Sequence, residues 1–227
     1  MNTILCDIVA RAGWKPAPLV GLLLLCLGLF AHADEPLSAI PPIPRLLPPE
    51  GVKLPDEEVA KLEARLEKLR PRIDDLKKKL AAERQVGVDH IADVAIFPKA
   101  VRFALDFHEF YDEKKDLAKA HKLLDEAETR LAALEKGTHP WTTASRLVVR
   151  GYDAFDGPQP YGVVFPKDFD PKRKQEYPVY VWLHGRGDKA TDMHFIHERM
   201  NSVGQLGEVD AVVIHPFGRQ CVGFKFA

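Results

Sequence analysis

The chain has 227 residues, with 32 Lys and Arg set against 33 Asp and Glu for a formal net charge of −1. That near-balance, with no basic patch, argues against a nucleic-acid binder. High but balanced charge suits solvated helix faces instead.

Residues 1–33 read as a signal peptide and are set aside from the fold. Arg11 and Lys15 form a short basic region, Leu19 to Phe30 an apolar run, and Ala31-His32-Ala33 places small residues where a signal peptidase cuts. The run is shorter than the roughly twenty residues a membrane span needs, so no stable span is expected after cleavage. Leu25, before Cys26, is bulkier than a lipid-attachment motif favours. Cleavage after Ala33 addresses the protein to the periplasm or the exterior. It removes Cys6 and Cys26 and leaves Cys221 without a partner for an internal disulfide. It also removes Asp7, Arg11 and Lys15, which moves the net charge to −2.

Residues 34–55 are a linker. Pro41, Pro42, Pro44, Pro48, Pro49 and Pro55 crowd it, so it is expected to run extended and semi-rigid. Residues 56–138 are expected to be helical, as a helical hairpin or a three-helix region. Asp56 is a plausible N-cap, and Val59, Leu62, Leu66, Leu69, Ile73, Leu76 and Leu80 recur at spacings of three and four. Pro71 inside that seam is expected to kink or split the helix. A second helix carries Ile91, Val94, Val101, Leu105 and Phe110, with Pro98 near its start. A third carries Leu117, Leu124, Leu131 and Leu134 and stops at Gly137. The seam also allows helix-mediated self-association, though packing within one chain is the plainer reading.

Residues 139–227 change to strand texture. Leu147-Val148-Val149 and Tyr161 to Phe165 read as an antiparallel hairpin with a longish loop around Asp156-Gly157-Pro158. Tyr177 to Leu183 reads as a strand buried on both faces, Asp192 to Val203 as a helix, and Ala211 to Ile214 as the next buried strand. A hairpin followed by strand, helix and strand is how an α/β sheet begins.

The strand ending at Leu183 runs into His184-Gly185-Arg186-Gly187-Asp188. Ligands of open α/β sheets bind beyond the carboxyl ends of the strands. Glycines there let the backbone come close to a bound group, and free N–H groups on such a loop can hold an oxyanion. A tight structural turn is the competing reading of the same residues.

The run from Ile91 to Ala227 resembles secreted α/β-hydrolases of the prolyl-oligopeptidase-like and polyhydroxybutyrate-depolymerase-like group. The resemblance is carried by Trp141-Thr142-Thr143, Val148 to Tyr152, Gln159 to Gly162, Trp182 to Gly187 and His215 to Cys221, with Ala100 to Leu105 fitting a helical leader. It implies an α/β fold and a serine hydrolase acting on a peptide or ester substrate, with no cofactor and no metal. It places the backbone N–H groups of Arg186 and Gly187 at the oxyanion hole and has His184 shape the loop. Asp188, Arg219 and Cys221 fall near the site mouth.

One part of the family pattern is missing. Such enzymes carry their nucleophile on a G-x-S-x-G elbow, followed by an Asp or Glu and a His. These 227 residues contain no G-x-S-x-G; the serines are Ser38, Ser145 and Ser202, none in a strand–turn–helix context. The expectation is therefore an incomplete α/β-hydrolase-type sheet, with its last strand left as an exposed apolar edge, and no catalysis by these residues alone. Two rival chemistries use other side chains. Asp192, His194, His197 and Glu198, with His184 and His215, offer metal-ligand types, without zinc-protease spacing. Cys221 is a possible nucleophile if a histidine lies within reach.

Overall fold

The computed structural model describes residues 49–83, 90–142, 146–155, 157–172, 175–185 and 187–218. The signal segment with its cleavage site, most of the proline-rich stretch, Ser145, Arg186, Arg219 and Cys221 lie outside the described residues. Helix α1 spans Asp56–Ala82, α2 Ile91–Asp106 and α3 Glu113–Glu135; strands β1 (Leu147–Ala154), β2 (Gly157–Val164) and β3 (Val179–Val181) follow, then α4 (Asp192–Asn201) and β4 (Val212–Pro216). Among the described residues no helix is long and apolar enough to cross a membrane.

The heptad-like seam of α1 is turned inward. Leu62, Leu66, Leu69, Ile73, Leu76 and Leu80 are all buried, packed with apolar residues of α2 and α3 into one core. A stripe of this width is what a helix needs to bury one face against two neighbours. Arg65 reaches Asp125 at 2.7 Å and Arg72 reaches Glu135 at 2.8 Å, which sets α1 beside α3. Pro71 does not split the helix: it lies inside an unbroken α1. It sits on the exposed face, so the Glu67 carbonyl that loses its partner is left toward water. Pro98 lies in the middle of α2, not near its start. The cap of α1 also shifts by one: the Glu58 and Val59 amides donate to the Pro55 carbonyl, and Asp56 falls in the acidic first turn, where carboxylates suit the helix field.

Helix α3 begins with the Asp112 carboxylate accepting from the Lys115 amide at 2.9 Å. It ends at Gly137, whose φ of 75° lets its N–H close on the Leu134 carbonyl at 2.9 Å. The described end of the proline-rich stretch is packed down. The Val52 amide donates to the Phe110 carbonyl at 2.6 Å, and Leu54 is buried.

The sheet has the order β1-β2-β4-β3. β1 with β2 and β2 with β4 are antiparallel; β3 with β4 is parallel. The β1–β2 ladder runs without a break from Leu147↔Val164 to Ala154↔Gly157. The loop is therefore a tight turn rather than the longish one expected. Gly157, at φ 108°, makes that turn possible. Pro158 and Pro160 are tolerated because β4 pairs with β2 only from Tyr161 onward, so that part of β2 needs no second ladder.

The expectation for the third strand is overturned. Val179, Tyr180, Val181 and Leu183 are each about half exposed, at 59%, 49%, 60% and 51%. β4 inserts between β2 and β3, so β3, and not the last strand, forms the apolar edge. β4 is the covered one, with Val213 and His215 buried.

The helical and sheet regions, expected as 56–138 and 139–227, share one core and belong to one compact unit. A buried carboxylate joins them. Asp93 of α2 is fully buried and accepts from Arg150 Nε at 2.9 Å, from the Gly151 amide at 2.7 Å and from Trp141 Nε1 at 2.9 Å. Arg130 of α3 donates to the carbonyls of Asp93 and Val149 and lies over the rings of Phe97 and Trp141. A buried charge survives only when paired and hydrogen-bonded this fully. Gly151 is where α2 meets β1; a Cβ there would run into the Ala92 carbonyl.

Candidate functional site

The parallel pair β3–β4 points its carboxyl ends at one place. The chain leaves β3 with the Trp182 amide still bonded to the Ile214 carbonyl at 2.8 Å. It then crosses to α4, while β4 leaves into Phe217 and Gly218. His184 braces the two exits. Its Nε2 accepts the Gly218 N–H at 3.0 Å, and its Nδ1 donates to the Gly185 carbonyl at 2.8 Å. Those partners set the tautomer, with the proton on Nδ1. The ring also stacks on Phe217 at 5.8 Å, and Phe217 on Phe195 at 4.7 Å. His184 thus ties the exit of β3 to the exit of β4.

A cavity of about 320 Å³ opens beside this brace. His184, Gly185 and Gly187 line it, together with Trp182, Phe195 and Phe217. Of the other expected site residues, Asp188 lies on the same loop but not in the cavity wall, and Arg186, Arg219 and Cys221 fall outside the described residues. Ser202 caps the end of α4, its Oγ accepting from the Gly204 amide at 3.2 Å.

Lys189, Arg199, Gly204 and Gln205, none of them singled out from the sequence, also line the cavity, together with His194, Glu198 and His215, which were weighed as metal ligands. Arg199 is only 6% exposed. Its stem crosses β2 at Gly162, where a Cβ would stand 2.8 Å from Arg199 Cδ. Its guanidinium lies against Gly204, whose positive φ and missing side chain leave the space. Glu198 pairs with its Nη2. His215 is 4% exposed, and burial, with the Arg199 charge adding to it, pushes its pKa down to about 4. The imidazole is neutral at neutral pH. The local sequence hides Arg199, because one arginine among the charges of an amphipathic helix looks like a solvated residue. The cue is tertiary: Gly162 and Gly204 meet only in the fold.

Helix α4 is set in place from outside the sheet. Thr191 caps it, accepting the His194 amide at 3.3 Å, and its hydroxyl meets His194 Nδ1 at 2.7 Å. His194 Nε2 donates to the Asp116 carboxylate of α3 at 3.1 Å. A hydroxyl, an imidazole and a carboxylate in a row resemble a hydrolytic triad, but Thr191 is 2% exposed and its oxygen is committed to the helix cap. Burial lowers the His194 pKa, with the charges of Lys119 and Lys189 adding to it and Asp116 opposing.

Three of the residues weighed as metal ligands are turned to separate partners. Asp192 pairs with Lys99 at 2.8 Å, His194 with Asp116, and His184 with the two loops. Among the described residues no three His, Cys, Asp or Glu side chains gather into a group that could hold a metal ion.

Comparison of the chain with models of known protein families, with curated proteins and with solved structures finds no match in any of the three.

Proposed function

We propose that this chain is the N-terminal portion of a secreted serine hydrolase of the α/β-hydrolase class, acting on peptide or ester bonds and carrying its oxyanion loop. The observation that carries the reading is the His184–Gly218 hydrogen bond. It holds the His184–Gly187 loop over the carboxyl ends of the parallel strands, at the mouth of a cavity. Two features of the fold support it. The loop joins the third strand to the helix that follows, which is where α/β-hydrolases keep one oxyanion donor. A hairpin followed by a parallel pair joined through a helix is also how an α/β sheet begins.

The chemistry is acyl transfer to water. A serine oxygen attacks the substrate carbonyl, and negative charge builds on the carbonyl oxygen. In this reading the backbone N–H groups of Arg186 and Gly187 receive that charge, a contribution of about 3 kcal/mol per donor in comparable sites. His184, its Nε2 lone pair already used, positions the loop and takes no proton. The nucleophile and the general base are supplied from outside residues 1–227, and the chain by itself does not turn over. The inward-facing seam of α1 gives the rival reading, a helical interaction module, no free apolar stripe.

The test is fluorophosphonate labelling of the natural gene product, captured from its source with antibodies to residues 49–218, and mapping of the labelled peptide. A labelled serine on a polypeptide that contains this sequence supports the proposal. A folded natural product that takes no label overturns it.

A further inference from the structure

The cavity that His184 lines also holds two side chains with a polar atom that the fold leaves unused. Arg199 Nη1 and His215 Nε2 are both buried and have no hydrogen-bond partner among the described residues. Both side chains line the same cavity. Buried polar groups are almost always partnered, and an orphan calls for an explanation. Here the fold goes out of its way to create one. Gly162 and Gly204, far apart in sequence, both lack the Cβ that would displace Arg199. The guanidinium is thus threaded between β2 and the segment after α4, with Glu198 occupying only Nη2. The described charges of the wall are Lys189, Arg199 and Glu198, so cations outnumber anions. The remaining wall is aromatic, from Trp182, Phe195 and Phe217.

We propose that this cavity binds a ligand bearing a carboxylate, with Arg199 Nη1 and the Nε2–H of neutral His215 donating to its oxygens and the aromatic wall taking an apolar body. A guanidinium and a neutral N–H donor match a planar carboxylate, and about 320 Å³ is the size of a small-molecule pocket. Arg199 Nη1 lies under Gly204, so binding moves the Gly204–Gln205 segment outward. As a statement about substrate, the inference rests on the hydrolase reading and makes the preferred ester or peptide one with a free carboxylate on its acyl or leaving part. As a statement about binding, it needs no nucleophile.

The experiment uses the folded chain with isotopically labelled histidine, titrated with benzoate, with benzamide and with inorganic phosphate. Benzoate is expected to move the His215 ring nitrogen resonances saturably, and more than those of His184, whose nitrogens are both bonded. Benzamide is expected to move neither. Arg199→Gln is expected to weaken benzoate by about tenfold or more. Because that variant removes a buried side chain, the wild-type titration decides alone if the variant does not fold. An unmoved His215, equal response to benzamide, or response to phosphate without benzoate overturns the carboxylate site. Since serine labelling is read separately, failure here leaves the hydrolase reading standing, and the reverse holds too.

Discussion

His194 of α4 and Asp116 of α3 are joined by a hydrogen bond of 3.1 Å between Nε2 and Oδ1, and this bond ties the helix of the β-α-β unit to the helical region. Asp116 is 1% exposed. Burial raises its pKa, but hydrogen bonds from Lys119 and the amides of Tyr111 and Asp112, with the charge of His194, bring it down to about 2. A carboxylate depressed in the fold stabilises it above its unfolded pKa, and that contribution is lost as pH falls through the folded value. Asp116→Asn is therefore expected to lower stability by about 2 kcal/mol at pH 7. The gap from wild type should close between about pH 4 and pH 2. Urea melts of the two proteins across that range measure it, and a gap that is constant with pH would count against the assignment.

The depressed histidines act in the same direction at higher pH. His215 resists protonation down to about pH 4 in the fold, while its unfolded counterpart takes a proton near pH 6.5. Stability is then lost as pH falls from about 6.5 and levels off near the folded value. The thermal midpoint of wild type should drop over this interval, by an amount equivalent to about 3 kcal/mol from His215. His215→Gln, which cannot titrate, should flatten the curve. Equal slopes for both proteins would show that His215 is not the group responsible.

Asp93 tests whether the two regions are one cooperative unit. Asp93→Asn leaves the Arg150 charge without its partner and weakens the bond to the Gly151 amide. A loss of about 3 kcal/mol or more is expected. Unfolding followed by tryptophan fluorescence and by helical circular dichroism should still coincide. Separate transitions would mean that helices and sheet unfold independently.

The brace at the site mouth predicts a local effect. His184→Ala removes the acceptor of the Gly218 N–H while leaving the core intact. Global stability should fall by no more than about 1 kcal/mol, while hydrogen exchange at Gly218 should speed up by about tenfold or more. Unchanged exchange at that amide would contradict the loop-shaping part given to His184.

Strand β3 predicts association. An exposed apolar edge invites pairing with another chain. Val181→Lys should lower concentration-dependent association, read by light scattering, without moving the thermal midpoint. If association is unaffected, the edge is not the sticky surface.

The helices were legible because periodicity is a local property: Leu62 to Leu80 declare a face, and Gly137 declares an end. The hairpin was legible for the same reason, although its turn was not, since Pro158 and Pro160 argue against strand until the one-sided pairing of β2 is known. Strand order was not legible. Val179 to Leu183 and Ala211 to Ile214 are equally apolar, and only the crossover through α4 decides which of them is covered. At the site, the glycines and His184 were visible as a motif at a strand end. Arg199 was not, because the two glycines that make room for it lie on other elements.

The Asp93 hub also bears on biosynthesis. During synthesis from the amino end, α2 and its carboxylate emerge well before Trp141, Arg150 and Gly151, the groups that satisfy it. Until those residues clear the ribosome, the nascent helices hold at their interface an acid whose side-chain partner is the neighbouring His90 alone. The helical region should stay loosely packed on the ribosome and consolidate only when β1 emerges, so a stall after α3 has emerged and before Gly151 does would leave a protease-sensitive, chaperone-dependent chain.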